Sequence, residues 1–270
     1  MKIINNPSKK DWNKILERPT KTVDDIEGVV NEVFLDVQKN GDAAVNKYTT
    51  KFDGVSLDNT LVSSSEIEEA IALVSSELKE AIQLAKTNIT NFHKAQKTDK
   101  VSVETANGVS CWQEKRAIQK VGLYIPGGTA PLFSTVLMLA IPAQIAGCKE
   151  IVLCSPPNKE GKINPAILFA ANLCGVTKII KVGGIQAIAG LTFGTATIPQ
   201  VYKIFGPGNQ FVTVAKQLST KFGVAIDMPA GPSELLVVAD DAANASYVAS
   251  DLLSQAEHGV DSQVILVSTS

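Results

Sequence analysis

Histidine, paired cysteine and excess charge are scarce in this sequence. Its 270 residues include two histidines and four cysteines, and 25 basic residues nearly balance 27 acidic ones, which leaves a net charge of −2. Because the sequence contains neither a basic run nor a basic strip with interspersed aromatics, we do not expect nucleic-acid binding. The hydrophobic fraction of 45% and the charged fraction of 19% are typical of a globular protein with a sizeable core.

Export and membrane signals are missing as well. The segment MKIINNPSKKDWNK at residues 1–14 lacks the apolar core of a secretory signal. The most apolar stretch, residues 131–147, contains Pro142 and Gln144 and is too short to span a bilayer, so we interpret it as a buried helix. We therefore predict a cytoplasmic protein without a membrane segment. Its cysteines have no CxxC or metal-ligand spacing and are expected to be reduced and mostly buried: Cys111, Cys148, Cys154 and Cys174.

The first third of the chain has the pattern of helices followed by a hairpin. Apolar residues recur at helical spacing from Val23 to Val37, and Gly41 stands where such a helix would end. A second helical region covers 64–97, with Ser64 as a possible N-cap and a break near Ser75–Ser76. In residues 100–115, apolar and polar side chains alternate on either side of Asn107-Gly108, which is a strong hairpin signal.

From Val121 onward, short β-branched runs alternate with helical segments. Near-continuous apolar strands separated by helices are typical of parallel strands that are buried on both faces. The fold class predicted is therefore α/β, after a helical and hairpin N-terminal region. The predicted strands are 121–125, 150–155, 177–182, 201–205, 234–240 and 262–268, and the helices between them are 131–146, 164–174, 185–192, 209–219 and 243–257.

Several strand-to-helix junctions are rich in glycine and polar residues. In open α/β sheets, ligands bind where strands lead into helices. The segments at these junctions are PGGTAPLFST (126–135), GGIQAIAG (183–190) and GPGNQ (206–210), in which Asn209 can cap the next helix, and DMPAGPSE (227–234) is a rigid loop before a strand. Each alone is compatible with an ordinary turn, but together they favour a shared ligand cleft. Adjacent glycines before a helix N-terminus suit a phosphate or carboxylate, although no GxGxxG fingerprint is present.

Gln255 and His258 are three residues apart on one predicted helical face. Histidine is a common zinc ligand, but glutamine is an uncommon one, and a zinc site needs about four ligands. The other histidine, His93, lies in an earlier helix and completes no metal constellation. Spacing alone therefore favours a histidine that interacts with a helix C-terminus over a metal ligand.

Taken together, these segments resemble the histidinol dehydrogenase family over essentially the whole chain. The resemblance is carried by residues 121–148, 183–195, 204–216, 225–234 (AIDMPAGPSE) and 251–263 (DLLSQAEHGVDSQ). It implies NAD-dependent oxidation of L-histidinol to L-histidine through an aldehyde, the last step of histidine biosynthesis, in a homodimer with one Zn²⁺ per site. It also implies two domains resembling incomplete Rossmann-like folds, one formed by 1–120 with 235–270 and one by 121–234 on the nucleotide side.

The resemblance also assigns site residues. It matches Tyr124, Gln186 and Asn209 to NAD contacts, Ser233 to a substrate contact, and Gln255 and His258 to zinc ligands that border the substrate. The family's acid–base Glu and His, and the remaining zinc ligands, match nothing in 1–270. We therefore expect a truncated form with an incomplete zinc site, no catalytic acid or base of its own, and little or no activity.

The sequence is also compatible with two other hypotheses. The chain could be a non-catalytic module that binds NAD or another small molecule. It could instead oxidise an aldehyde with a cysteine nucleophile, for which Cys154, at the end of a predicted strand, is the candidate.

Overall fold

The computed structural model describes residues 2–17, 23–127, 131–229, 233–257 and 262–269. Its N-terminal part is helical, as predicted. A short 3₁₀ turn at Lys9–Asp11 leads into the first helix, α1 (Trp12–Ile15). Four longer helices follow: α2 Val23–Asn40, α3 Asp42–Asp53, α4 Ser64–Leu73 and α5 Ser76–Ala95.

Local capping chemistry sets the ends of these helices. Gly41 separates α2 from α3 and has a φ of 54°, which a residue with a side chain adopts only under strain. Ser63 accepts a hydrogen bond from the Glu66 amide, and the Glu66 side chain accepts one from the Ser63 amide, which forms a capping box. The N-cap of α4 is therefore Ser63, one residue before the predicted Ser64. Ser75 caps α5, which confirms the break predicted near Ser75–Ser76.

The predicted hairpin is present. Strands β1 (Val101–Ala106) and β2 (Val109–Gln113) pair antiparallel around Asn107-Gly108, and Gly108 has a φ of 77°. Both strands are exposed along their whole length.

A five-stranded parallel sheet forms the centre of the described structure and confirms the α/β prediction. Its strands are β3 Lys120–Tyr124, β4 Glu150–Cys154, β5 Lys178–Ile180, β6 Lys203–Phe205 and β7 Ala225–Ile226, in the order β5-β4-β3-β6-β7. The chain starts in the middle, builds toward β5, and then returns to build toward β7. A topological switch point therefore lies between β3 and β6. The two-residue strand β7 was not predicted because it is too short to show a pattern.

Helices cover both faces of this sheet. The connecting helices are α6 Phe133–Ala146, α7 Pro165–Leu173, α8 Gly184–Phe193 and α9 Gln210–Ser219. One apolar core joins α2, α3, α8 and α9 to one face, and a second joins α4, α5, α6 and α7 to the other. Alternate residues of β4 enter the two cores, with Val152 in the first and Ile151 and Leu153 in the second. Burial on both faces explains why these strands are apolar throughout.

The last described elements form a separate parallel pair, β8 (Glu234–Ala239) and β9 (Gln263–Ser268), joined through α10 (Ala245–Ala256). Helix α10 packs on this pair. Leu235 and Val237 are half-buried, whereas Leu236 is 57% and Val238 73% exposed. The expectation that all strands are buried on both faces is thus wrong for this pair, because one face has no cover among the described residues. The predicted division into two domains stays a prediction.

The apolar segment interpreted as a buried helix is α6. It contains Pro142 in its second half, and its buried residues include Val136, Leu137 and Ile141. Within the described ranges, no helix has the length and apolar character needed to cross a bilayer.

Candidate functional site at the carboxyl edge of the sheet

The loops that leave β3, β4 and β5 are packed against each other at the carboxyl edge of the sheet. Pro156 follows β4 and lies between the other two loops. A Cβ atom on Gly127 would lie 2.6 Å from Pro156 Cγ, and one on Gly183 would lie 2.4 Å from Pro156 Cβ. Since real Cβ contacts are not that short, only glycine allows this approach at either position.

The loops after β3 and β6, on either side of the switch point, meet through backbone atoms. Gly206 has a φ of 123°, and a Cβ atom there would lie 2.1 Å from the Tyr124 carbonyl oxygen. The GPGN segment therefore reaches the end of β3 only because residue 206 is glycine. Gly127, one of the adjacent glycines predicted to suit a ligand, and Gly206 thus serve the packing of one loop on another.

Tyr124, assigned to NAD by resemblance, is the last residue of β3. Its ring is buried in the core that includes α8, and its hydroxyl oxygen accepts a hydrogen bond of 3.0 Å from the Gly184 amide. Burial raises the pKa of the Tyr124 hydroxyl above its ordinary value. The phenol therefore stays protonated at neutral pH and acts as a hydrogen-bonding group.

Gln186, the second predicted NAD contact, lies in the first turn of α8 and is fully buried. Its Nε2 donates to Asp53 Oδ2 at 3.1 Å, and its Oε1 is a buried acceptor without a hydrogen-bond partner among the described residues. The N-cap of α8 is Gly183, which has no side chain to cap the first turn. Burial raises the pKa of Asp53 to about 6. Asp53, at the end of α3, was not predicted, since nothing in the sequence near it indicates a site.

Asn209, the third predicted NAD contact, is the N-cap of α9. Its Oδ1 accepts a hydrogen bond of 3.0 Å from the Val212 amide, as the sequence led us to expect. Asn209 is exposed, in contrast to the other two. The structure therefore brings Tyr124 and Gln186 together around Gly184 and places Asn209 after the neighbouring strand β6.

A buried ion pair that sequence reasoning missed connects the loops after β6 and β7. Lys216 is 1% exposed, pairs with Asp227, and donates to the Gly206 carbonyl at 2.6 Å and to the Met228 carbonyl at 3.3 Å. Asp227 in turn accepts from the Gly206 amide at 2.8 Å and the Met228 amide at 2.7 Å. The available signal was that Lys216 occupies the apolar face of α9, four residues after Val212.

Of the residues predicted to bind substrate and zinc, Ser233 and Gln255 lie around β8 and α10. Ser233 directly precedes β8 and is exposed, and Gln255 donates from Nε2 to Ser262 Oγ at 3.0 Å. His258 lies outside the described residues. No group of three or more His, Cys, Asp or Glu side chains suited to a metal occurs in the described ranges. By themselves, the described residues do not form a zinc site, because Gln255 alone would supply one neutral oxygen.

Cys154 does not have the properties of a nucleophile. The thiol is fully buried at the end of β4, and burial raises its pKa above the ordinary value. Because the thiolate is the reactive form, this environment disfavours the aldehyde-oxidation hypothesis.

Fold and site together define an α/β protein with its candidate ligand site at the carboxyl edge of a parallel sheet. A family model described as histidinol dehydrogenase matches residues 16–270, and the chain belongs to that family of oxidoreductases. The whole chain is 60% identical to the histidinol dehydrogenase of Bacteroides fragilis, and 99% of it is 53% identical to that of Haemophilus influenzae. It spans 63% and 62% of the length of these two relatives.

A solved structure agrees with this assignment. The crystal structure of histidinol dehydrogenase from Elizabethkingia anophelis is similar with a TM-score of 0.88 at 58% sequence identity. The match covers 98% of this chain and 61% of that one. The family predicted from the sequence is confirmed.

Proposed function

We propose that this protein takes part in the NAD-dependent oxidation of L-histidinol to L-histidine through L-histidinal, the last step of histidine biosynthesis. The observation that carries the proposal is family membership over residues 16–270, at 60% identity to a histidinol dehydrogenase. The proposal includes a cytoplasmic homodimer, as the family resemblance implies. In it, residues 121–234 form the nucleotide side, and 1–120 together with 235–270 form the other domain.

NAD is proposed to bind at the carboxyl edge of the sheet, and the residues there fit it. Tyr124 and Gln186 hold a hydroxyl and an amide at the N-terminus of α8, and the Gln186 Oε1 atom is a buried acceptor awaiting a donor. The positive end of the α8 dipole favours a negatively charged group such as a pyrophosphate. Asn209 is at the N-terminus of α9, as its N-cap residue. When bound, NAD⁺ supplies the acceptor for the hydride that leaves the alcohol carbon.

Ser233, Gln255 and His258 are proposed to contact L-histidinol, and Gln255 and His258 to contribute to a zinc site. This part of the proposal is supported by the family resemblance alone. Zn²⁺ needs further ligands that the described residues do not supply.

The family resemblance assigns proton transfer to a Glu and a His that match nothing in residues 1–270, and the carboxyl group at the sheet edge, Asp53, is engaged by Gln186 Nε2 at 3.1 Å. A hydride leaves an alcohol readily when a base takes the hydroxyl proton, and the absence of such a base costs about 10²–10⁴-fold in rate. Burial raises the pKa of Tyr124 and that of Cys154, so the anions that could accept a proton are scarce at neutral pH. We therefore propose that residues 1–270, expressed alone, bind ligands but do not turn them over.

The test measures NADH formation from L-histidinol, NAD⁺ and Zn²⁺ by the ultraviolet absorbance of NADH. We expect no turnover by residues 1–270 alone, and turnover at a rate typical of dehydrogenases would overturn that proposal. The matched control is the full-length relative from Bacteroides fragilis under the same conditions.

A second candidate function, a non-catalytic module that binds NAD or a small molecule, is favoured by the Gln186 Oε1 atom, a buried acceptor without a partner among the described residues. Calorimetric titration with NAD⁺ and with L-histidinol, each with and without Zn²⁺, tests it. Binding without turnover supports a binding role for these residues, whereas flat titrations with both ligands exclude it.

A further inference from the structure

The two ends of the Gln186 amide are in different environments. Nε2 donates to Asp53 Oδ2 at 3.1 Å, and Oε1 has no partner among the described residues. Oε1 is folded toward the start of its own helix, since a Cβ atom on Gly184 would lie 3.0 Å from it. The oxygen therefore faces the N-terminus of α8, where the Gly184 amide donates to the Tyr124 hydroxyl.

An amide group occupies almost the same volume in its two flipped orientations, so shape does not decide which end faces which way. Hydrogen bonding decides it. A carboxylate only accepts hydrogen bonds, so ionised Asp53 pairs with the NH₂ group of Gln186 and excludes the reversed amide. A protonated carboxyl can donate, and it then also tolerates the reversed orientation, with the NH₂ group facing the α8 N-terminus.

We propose that Asp53 is a positioning residue whose carboxylate turns the carbonyl oxygen of Gln186 toward the ligand at the N-terminus of α8. The ligand group received there is a hydrogen-bond donor, such as a carboxamide or a sugar hydroxyl of a dinucleotide. This inference rests on the proposed NAD function of the same site. A hydrogen-bond acceptor beside the backbone N–H groups at the start of a helix suits a ligand that carries a neutral hydrogen-bond donor next to an anionic group.

Of the titratable side chains described at this site, Asp53 is the one whose charge changes within the pH range of the test. Tyr124 on β3 is the titratable group that interacts with it, and Cys154 on β4 interacts with Tyr124. Both have a pKa raised by burial and stay neutral, while the pKa of Asp53 is raised to about 6. Within the described ranges, no Lys, Arg or His forms an ion pair with Asp53.

The binding test compares the Kd for NAD⁺ of the wild type with that of Asp53→Asn by isothermal titration calorimetry at several pH values. Loss of one enforced hydrogen bond corresponds to a weakening of about 2- to 10-fold. We expect that weakening in Asp53→Asn near neutral pH, and in the wild type as pH falls through about 6. Asp53→Asn itself should show no such pH dependence.

Asp42→Asn is the matched control. Asp42 is at the other end of the same helix, and its carboxylate accepts from Thr197 Oγ1 at 2.9 Å, away from Gln186. This variant should keep both the affinity and the pH profile of the wild type. Equal affinity and equal pH dependence in Asp53→Asn and the wild type would overturn the inference.

A second measurement requires no ligand and separates this inference from the proposed function. In the ¹⁵N–¹H NMR spectrum, the side-chain NH₂ signal of Gln186, identified by its loss in Gln186→Ala, should shift with a midpoint near pH 6 in the wild type. It should not shift in Asp53→Asn. A signal that is insensitive to pH in the wild type contradicts the role of Asp53, whereas a titrating signal without NAD⁺ binding contradicts the proposed function alone.

Discussion

We predict that the two members of the Lys216–Asp227 ion pair contribute unequally to stability. Lys216 is 1% exposed, whereas the Asp227 side chain is 23% exposed and also accepts hydrogen bonds from the Gly206 and Met228 amides. Removing the Lys216 charge leaves a carboxylate that keeps two amide donors and some water. Removing the Asp227 charge leaves an ammonium group inside the protein with backbone carbonyls alone.

The magnitude follows from this asymmetry. Breaking a buried pair so that one charge is left uncompensated costs about 3–5 kcal/mol. We expect Asp227→Asn to be at the lower end, about 3 kcal/mol, because the Gly206 and Met228 carbonyls still accept from the ammonium group. Lys216→Met should cost about 1–2 kcal/mol, since it leaves no buried charge without a partner. For a domain of this size, 3 kcal/mol corresponds to a fall in Tm of about 6–12 °C.

Urea denaturation of the wild type, both single variants and the double variant measures these costs. The double variant Lys216→Met/Asp227→Asn should lose less stability than the sum of the single variants, because the residues form one pair. Lys221→Met is the control, since Lys221 pairs with Glu27 on the exposed surface and should cost less than about 1 kcal/mol. A smaller loss in Asp227→Asn than in Lys216→Met, or strictly additive losses, would refute the reasoning.

Three further predictions follow. The Gly206→Ala variant should lose at least about 3 kcal/mol of stability or fail to fold, because its Cβ would lie 2.1 Å from a carbonyl oxygen. The control variant Gly223→Ala, whose Cβ would lie in open space, should lose about 1–2 kcal/mol. Equal urea midpoints for the two variants would contradict this prediction. The pKa of Asp53 is raised from 3.8 to about 6, which corresponds to about 3 kcal/mol of stability that is present below pH ~4 and is lost as pH rises through about 6. Solvent screening of the partly exposed Asp53 reduces this to about 1 kcal/mol, so Asp53→Asn should raise Tm near pH 8 and leave it unchanged near pH 4; a lower Tm near pH 8 refutes it. Cys154 should react with a thiol reagent only when the protein unfolds, while the exposed Cys111 reacts at once, and equal rates contradict the assigned burial.

Much of the fold could be predicted from local patterns. The hairpin, the break at Ser75, the cap at Asn209 and the alternation of strands and helices depend on residues close together in the sequence, so short-range rules identify them. The same rules placed the candidate site at the carboxyl edge, since the glycine-rich segments 126–135, 183–190 and 206–210 follow strands, whereas Tyr124 and Gln186 were assigned to it by family resemblance. Strand β7 was not predicted, because two residues are too few to show a periodic pattern.

Contacts between distant segments could not be predicted in this way. Asp53 and Gln186 are 133 residues apart, and only the packing of α3 against α8 brings the carboxyl group to the amide. Lys216 was not predicted to form an ion pair, because its contact with Asp227 needs β6 and β7 to be neighbours.

The sequence by itself determined the element types, the α/β class and the family, because these depend on periodicity, turn chemistry and long ordered motifs. Tertiary structure alone decided which polar groups at the sheet edge are buried, which are paired and which are left without a partner. The pKa of Asp53 and the orientation of the Gln186 amide belong to this second group. Both depend on desolvation and on partners that the folded chain supplies from far away in the sequence.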